Sequence, residues 1–190
     1  IKPSNNFLKE VRELATKNNI VLIFDECTSG FRENFGGIHL NYKVNPDIAI
    51  FGKALGNGYA ITAVVGTKNV MEAAQRSFIS STFWTERIGV SAALKTLEIM
   101  EKKKSWEIIT SVGKKIKMIW SDIADGNNLS INISGLSSLS SFNFVSQNNL
   151  KYKTLITQEM LKNSILASNS VYTSIAHTNE CLDKYSYHLN

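Results

Sequence analysis

Two apolar runs that each end on a reactive group constrain this chain more than any other feature. Ile20-Val21-Leu22-Ile23-Phe24 closes on Asp25-Glu26, and Asp47-Ile48-Ala49-Ile50-Phe51 closes on Gly52-Lys53-Ala54. Short apolar runs bounded by turn signals read as buried, parallel strands. In an open α/β sheet, ligands sit outside the carboxyl ends of the strands. Asp25 and Lys53, 28 positions apart, are therefore expected to face one pocket.

The surroundings of these runs fit a crossover unit. Pro3-Ser4-Asn5, followed by Phe7, Leu8, Val11, Leu14 and Ala15 at helical spacing, predicts a helix that Asn18-Asn19 ends. A strand is expected from Ile20, a loop over 27–46, and a second strand over Asp47 to Phe51. Gly56-Asn57-Gly58 forms a tight turn, Ala60 to Val65 a third apolar run closed by Gly66, and Thr67 the cap of a short helix through Ala74. Ile88 to Met100 predicts a helix whose end carries Lys102 to Lys104, where cations suit the dipole.

The texture changes near residue 105. Helices are expected over Trp106 to Ile123 and Leu155 to Leu166, and a closing one over His177 to Tyr185. Asp125 to Asn128 reads as a turn, Leu129 to Phe144 as two strands, and Ser170 to Ile175 as a third. The division expected is an α/β unit over 1–104, built on a mostly parallel sheet with flanking helices, and a small α+β unit over 105–190.

Composition removes several function classes. With 43% hydrophobic residues, 190 positions are enough to bury a core. The net charge of +5 is spread out: Lys102 to Lys104 and Lys114, Lys115 and Lys117 read as solvated helix surface, and no nucleic-acid module is present. Cys27 and Cys181 lie far apart and outside metal spacing, which fits a reducing, cytoplasmic setting and no disulfide framework. No run is long enough for a membrane span, and no basic-then-apolar leader opens the chain, which begins on Ile1. Without a His/Cys/carboxylate cluster, no metal is expected. His177 reads as a structural residue at a helix start, and His39 and His188 have no partner pattern.

A strand-borne Asp-Glu also occurs beside magnesium in nucleotide hydrolases. That chemistry needs G-x-x-x-x-G-K-[ST], and here Gly52-Lys53 is followed by Ala54 and Gly113-Lys114 by Lys115. Lys53 instead stands among Phe51, Gly52, Ala54, Leu55 and Gly56. Lysines in such surroundings are desolvated, and a desolvated lysine is a nucleophile toward carbonyls.

Phe24-Asp25-Glu26-Cys27-Thr28-Ser29-Gly30-Phe31-Arg32, Pro46-Asp47-Ile48 and Gly52-Lys53-Ala54-Leu55-Gly56-Asn57-Gly58 together resemble the signature of class-III aminotransferases. Gly36-Gly37 and Ala176-His177-Thr178 resemble its glutamate-1-semialdehyde aminomutase branch. The resemblance is strongest from Phe7 to Met100. It implies part of a fold-type-I pyridoxal-phosphate enzyme acting on small amino and keto substrates. Lys53 would carry the cofactor as a Schiff base, and Asp25 would pair with the pyridine nitrogen. Cys27 would fill the place of a valine on the ring face, and Thr28 would lie near the phenolic oxygen. Thr82 would reach the cofactor phosphate of the neighbouring subunit in a homodimer. Phe83-Trp84-Thr85-Glu86-Arg87 departs from the family's usual Phe-Ser-Gly-Asn-Pro, which touches substrate choice. The family's phosphate-binding glycine turn and ring-stacking aromatic fall before the position of Ile1, so a non-catalytic split subunit that only oligomerises is the alternative.

Overall fold

The computed structural model describes residues 3–4, 6–80, 82–84 and 86–190. Asn5 of the expected helix start, and Ser81 and Thr85 around Thr82, lie outside the described residues. The described residues divide into two compact units, one through Trp106 and one over Glu107–Asn190.

In the first unit, helix α1 (Phe7–Lys17) leads into strand β1 (Ile23–Asp25), β2 (Ile48–Phe51) and β3 (Ala63–Gly66). β1 and β2 are parallel, with Ile23 opposite Ile48 and Asp25 opposite Ile50. β3 runs antiparallel to β2, so this piece of sheet is mixed rather than wholly parallel. One carboxylate ties the entry of both parallel strands: Asp47 Oδ2 accepts from the Leu22 backbone N–H at 2.7 Å and from Arg12 Nη1 at 2.8 Å. Those partners, the Leu22 N–H first and the Arg12 guanidinium second, hold the Asp47 carboxyl below the usual range.

Three expectations are corrected here. The first strand is shorter than its apolar run: Ile20 to Leu22 approach β2 only through the Asp47 side chain and the Leu22 carbonyl, which accepts from Asp47 N and Ile48 N. The parallel strands are not buried by this chain, since Ile23 is 50% exposed and only Ala49 of β2 is buried. Continuous apolar character belongs to strands covered on both faces, and three strands with one α-helix before them do not provide that cover. Residues 27–46 are not all loop, because Ile38–Tyr42 forms a 3-10 helix.

After the turn at Gly56 to Gly58, α2 (Lys68–Met71) continues into a 3-10 turn, Glu72–Arg76, and α3 (Ile88–Lys103) follows. Thr67 holds the N-cap position of α2 with extended backbone but makes no side-chain cap bond. Lys104 ends α3 in the left-handed conformation.

The second unit is carried by α4 (Ser105–Gly126), whose C-terminal part packs on an antiparallel sheet of β4 (Ile131–Ser134), β5 (Leu139–Phe144) and β6 (Ser170–Tyr172). α5 (Asn149–Lys162) and α6 (Asn179–Leu189) complete it. Ile116 and Trp120 of α4, Phe142 of β5, Met160 of α5 and Leu182 and Tyr185 of α6 form its core. Trp120 Nε1 donates to the Tyr185 hydroxyl at 2.7 Å, so both polar ends are satisfied inside the core. Tyr185→Phe strips the acceptor and leaves a buried indole N–H alone. It is expected to cost about 1–3 kcal/mol, read as a lower urea midpoint with an unchanged slope.

α4 runs through Gly126, beyond the turn expected from Asp125. α5 begins at Asn149 and ends at Lys162, some turns earlier than its apolar pattern implied. Asn149 Oδ1 accepts from Phe144 N at 3.0 Å, fixing the start. Ser164 at φ 59° stops the helix before Leu166, which is exposed.

Candidate functional site

Asp25 ends β1, and Lys53 follows β2 by two residues, so the parallel register brings both to one edge of the sheet. Lys53 opens a short 3-10 turn, Lys53–Leu55, with its own backbone in the left-handed region at φ 46°. Its carbonyl accepts from Asn57 N at 3.1 Å. The Nζ of Lys53 donates to the Thr28 hydroxyl.

Asp25 Oδ1 accepts from the Cys27 backbone N–H at 3.0 Å. That bond, then the Cys27 side chain and the Lys53 charge, outweigh the desolvation acting against them and hold the Asp25 carboxyl below its usual range. Cys27 moves the opposite way: burial, then the Asp25 carboxylate, push its thiol up. Four of the five expected site residues, Asp25, Cys27, Thr28 and Lys53, thus form one cluster joined by hydrogen bonds and charge. The fifth, Thr82, lies in an exposed turn with Phe83 and Trp84.

Two expectations change. Lys53 is exposed on this chain, so these residues do not supply the desolvation inferred from its apolar neighbours. His39 does have a partner. Glu26, only 2% exposed, accepts from the His39 backbone N–H at 3.0 Å, from His39 Nδ1 at 2.9 Å and from the Ser29 hydroxyl. Burial raises the Glu26 carboxyl, but the Ser29 and His39 hydrogen bonds together overcome it and leave it below the usual range. Gly37 is required beside this network, because a Cβ there would stand 2.3 Å from His39 Nδ1 and 2.8 Å from Glu26 Oε1.

Glu26 was legible in sequence only as the second residue of an Asp-Glu pair. Thirteen positions separate it from His39, and no periodicity links them. Its effect is to fold the segment after β1 back on itself and so fix where Cys27 and Thr28 stand. A carboxyl held lower in the folded state stabilises fully above its unfolded value, near 4.3, and that contribution is lost as pH falls through the folded value. Glu26→Gln is therefore expected to cost about 1.5–3 kcal/mol at pH 7. The difference from the parent should shrink as pH drops below about 4, measured by urea unfolding across that range.

Among the described residues, no group of three or more His, Cys, Asp or Glu is placed to hold a metal ion, and no helix is long and apolar enough to cross a membrane. Both cysteines are free.

A lysine amine and a carboxylate at adjoining ends of parallel strands, followed by an α+β unit, define part of a fold-type-I transaminase fold. The solved FumI protein of Sphingopyxis sp. MTA144, described in its PLP internal aldimine form, superimposes with a TM-score of 0.92 at 20% identity, over 98% of this chain and 45% of that one. The sequence matches the family model described as Aminotransferase class-III over residues 1–179, and the chain belongs to that family. A 3-aminobutyryl-CoA aminotransferase of Cloacimonas acidaminovorans (strain Evry) is 33% identical over 95% of this chain and 45% of its own length. A glutamate-1-semialdehyde 2,1-aminomutase of Nitrosopumilus maritimus (strain SCM1) is 32% identical over 100% of this chain and 50% of its own length. The chain spans about half the length of the curated relatives it matches.

Proposed function

We propose that this chain supplies the amine-bearing half of a pyridoxal-phosphate-dependent enzyme that transfers or relocates an amino group. The single observation carrying this reading is the Asp25–Thr28–Lys53 cluster at neighbouring parallel strand ends, where a carboxylate kept anionic faces an amine.

The donor set suits the group. A pyridine nitrogen stays protonated only beside an anion, and Asp25 is held in that form by the Cys27 N–H and the Lys53 charge. An aldehyde needs a primary amine, and Lys53 presents one from a fixed backbone. When bound, pyridoxal phosphate supplies a ring that accepts electrons from the substrate carbon bearing the amine. Lys53 would attach it and, once released, would carry a proton on Nζ to and from the reacting carbon. Cys27 would pack on a face of that ring, and Thr28 would stand by its phenolic oxygen. Thr82 would reach across a homodimer to the partner's cofactor phosphate, a role its exposed turn permits.

The substrates are small amino and keto compounds, and both aminotransferases and aminomutases stand among the relatives. The test is to add pyridoxal phosphate to the protein, reduce with borohydride and map the modified residue by mass spectrometry. The label is expected on Lys53, and a label spread over surface lysines would overturn the reading. Presenting glutamate-1-semialdehyde alone, and separately a 2-oxo acid with an amino donor, then decides between relocation and transfer.

A further inference from the structure

We infer that the Thr28 hydroxyl is the positioning group for the Lys53 amine, holding Nζ at one point both as ammonium and as free amine. The inference rests on Lys53 being the attachment lysine.

The side chain of Lys53 is exposed and carries a four-carbon stem, so its backbone alone leaves Nζ free to sample many rotamers. The Thr28 hydroxyl ends that freedom by accepting from Nζ. Thr28 is able to do so because it stands between two pinned neighbours. On one side the Cys27 N–H is held by Asp25 Oδ1 at 3.0 Å, and on the other the Ser29 hydroxyl is bound to the buried Glu26 carboxylate. Gly30 N, one residue further, donates to the Glu26 carbonyl at 2.8 Å. The anchor is rigid and the lysine is not.

The chemistry of the anchor matters as much as its position. A carboxylate accepts only, and would hold the amine in its protonated form. A hydroxyl has one donor and two acceptor sites. It accepts from an ammonium N–H, and after proton loss it can donate to the amine lone pair without moving. A proton carrier that changes state during turnover needs a partner of this kind. Asp25, the nearby carboxylate, accepts from the Cys27 N–H and meets Lys53 through charge, while the hydrogen bond from Nζ goes to the Thr28 hydroxyl.

The test compares Thr28→Val, which keeps the shape and removes the hydroxyl, with Thr28→Ser, which keeps the hydroxyl. Two rates are read at one fixed pH by mass spectrometry of Lys53. One is acetylation of the cofactor-free protein by dilute acetic anhydride; the other is borohydride-trapped condensation with added pyridoxal phosphate. Freed from its partner, Nζ in Thr28→Val should acetylate about fivefold faster, the worth of one ordinary hydrogen bond. It should condense about tenfold more slowly, since the aim is lost. Thr28→Ser should restore both.

Rescue of both rates by Thr28→Ser separates loss of the hydroxyl from a general loosening of the site, which serine would not repair. Equal acetylation in Thr28→Val and the parent overturns the inference, as does equal loss in the valine and serine variants. If the parent condenses with no cofactor at all, the functional reading falls, and the acetylation pair still decides the role of Thr28.

Discussion

On the function proposed above, replacing Lys53 with alanine is expected to leave the protein folded and to lower amino transfer by the enzyme to which this chain contributes by about 10²–10⁴-fold or more. The lower bound is the worth of a positioned proton carrier alone, and loss of covalent attachment adds to it. Stability should hold because the lysine side chain is exposed, and because alanine bears the same left-handed backbone cost as lysine at φ 46°. The unfolding midpoint should shift by no more than about 0.5 kcal/mol in equivalent stability. Lys43 and Lys104 provide the controls: both sit at positive φ, 55° and 48°, and neither is one of the four residues of the cluster. Their alanine variants should keep full activity. Borohydride trapping is the readout, and an adduct that survives in Lys53→Ala would transfer the assignment to another amine.

The largest structural effect is expected from Gly113→Ala in α4. A glycine replaced by alanine inside a helix normally gains about 1 kcal/mol. Here the added Cβ would stand 1.7 Å from the Ser137 carbonyl oxygen and 2.3 Å from its carbon, so backbone must move. That backbone is held from three directions. Thr173 N and the Thr173 hydroxyl both donate to the Ser138 carbonyl, at 3.1 and 3.2 Å, and the Ser140 hydroxyl donates to the Ser137 carbonyl at 2.8 Å. Overlap against a pinned strand entry costs at the top of the overpacking range, about 3 kcal/mol net of the propensity gain. Gly126→Ala, in the same helix with nothing within 4 Å of its new Cβ, should be neutral or gain up to about 1 kcal/mol. Equal urea midpoints for the two variants would remove the argument.

Much of the site could be read from residue order, because its two reactive groups follow short apolar runs and strand ends are marked by turn chemistry. α3 and α4 were legible from helical periodicity for the same local reason. What escaped was non-local. Glu26 and His39 meet through a folded-back connection, and nothing in their own neighbourhoods marks the pairing. The placement of α5 was missed because Lys151, Tyr152 and Lys153 interrupt the apolar pattern of its first turns, while the Asn149 side chain decides where it starts. The burial expected of β1 and Lys53 was inferred from composition, which records the surroundings of a whole fold. Among the described residues the sheet that carries the site has three strands.

The pairing of Asp25 with Ile50 across β1 and β2 has one last implication. The separation between the two strand ends that carry carboxylate and amine is set by the hydrogen-bond lattice of two strands, and the chain linking them adds the Thr28 hydroxyl that the amine meets. Residues 31–46 can therefore change in length only where the change leaves Gly37 and His39 against Glu26. A single residue inserted between Ile50 and Lys53 is different: it would turn the amine to the other side and dismantle the chemistry while leaving the architecture standing.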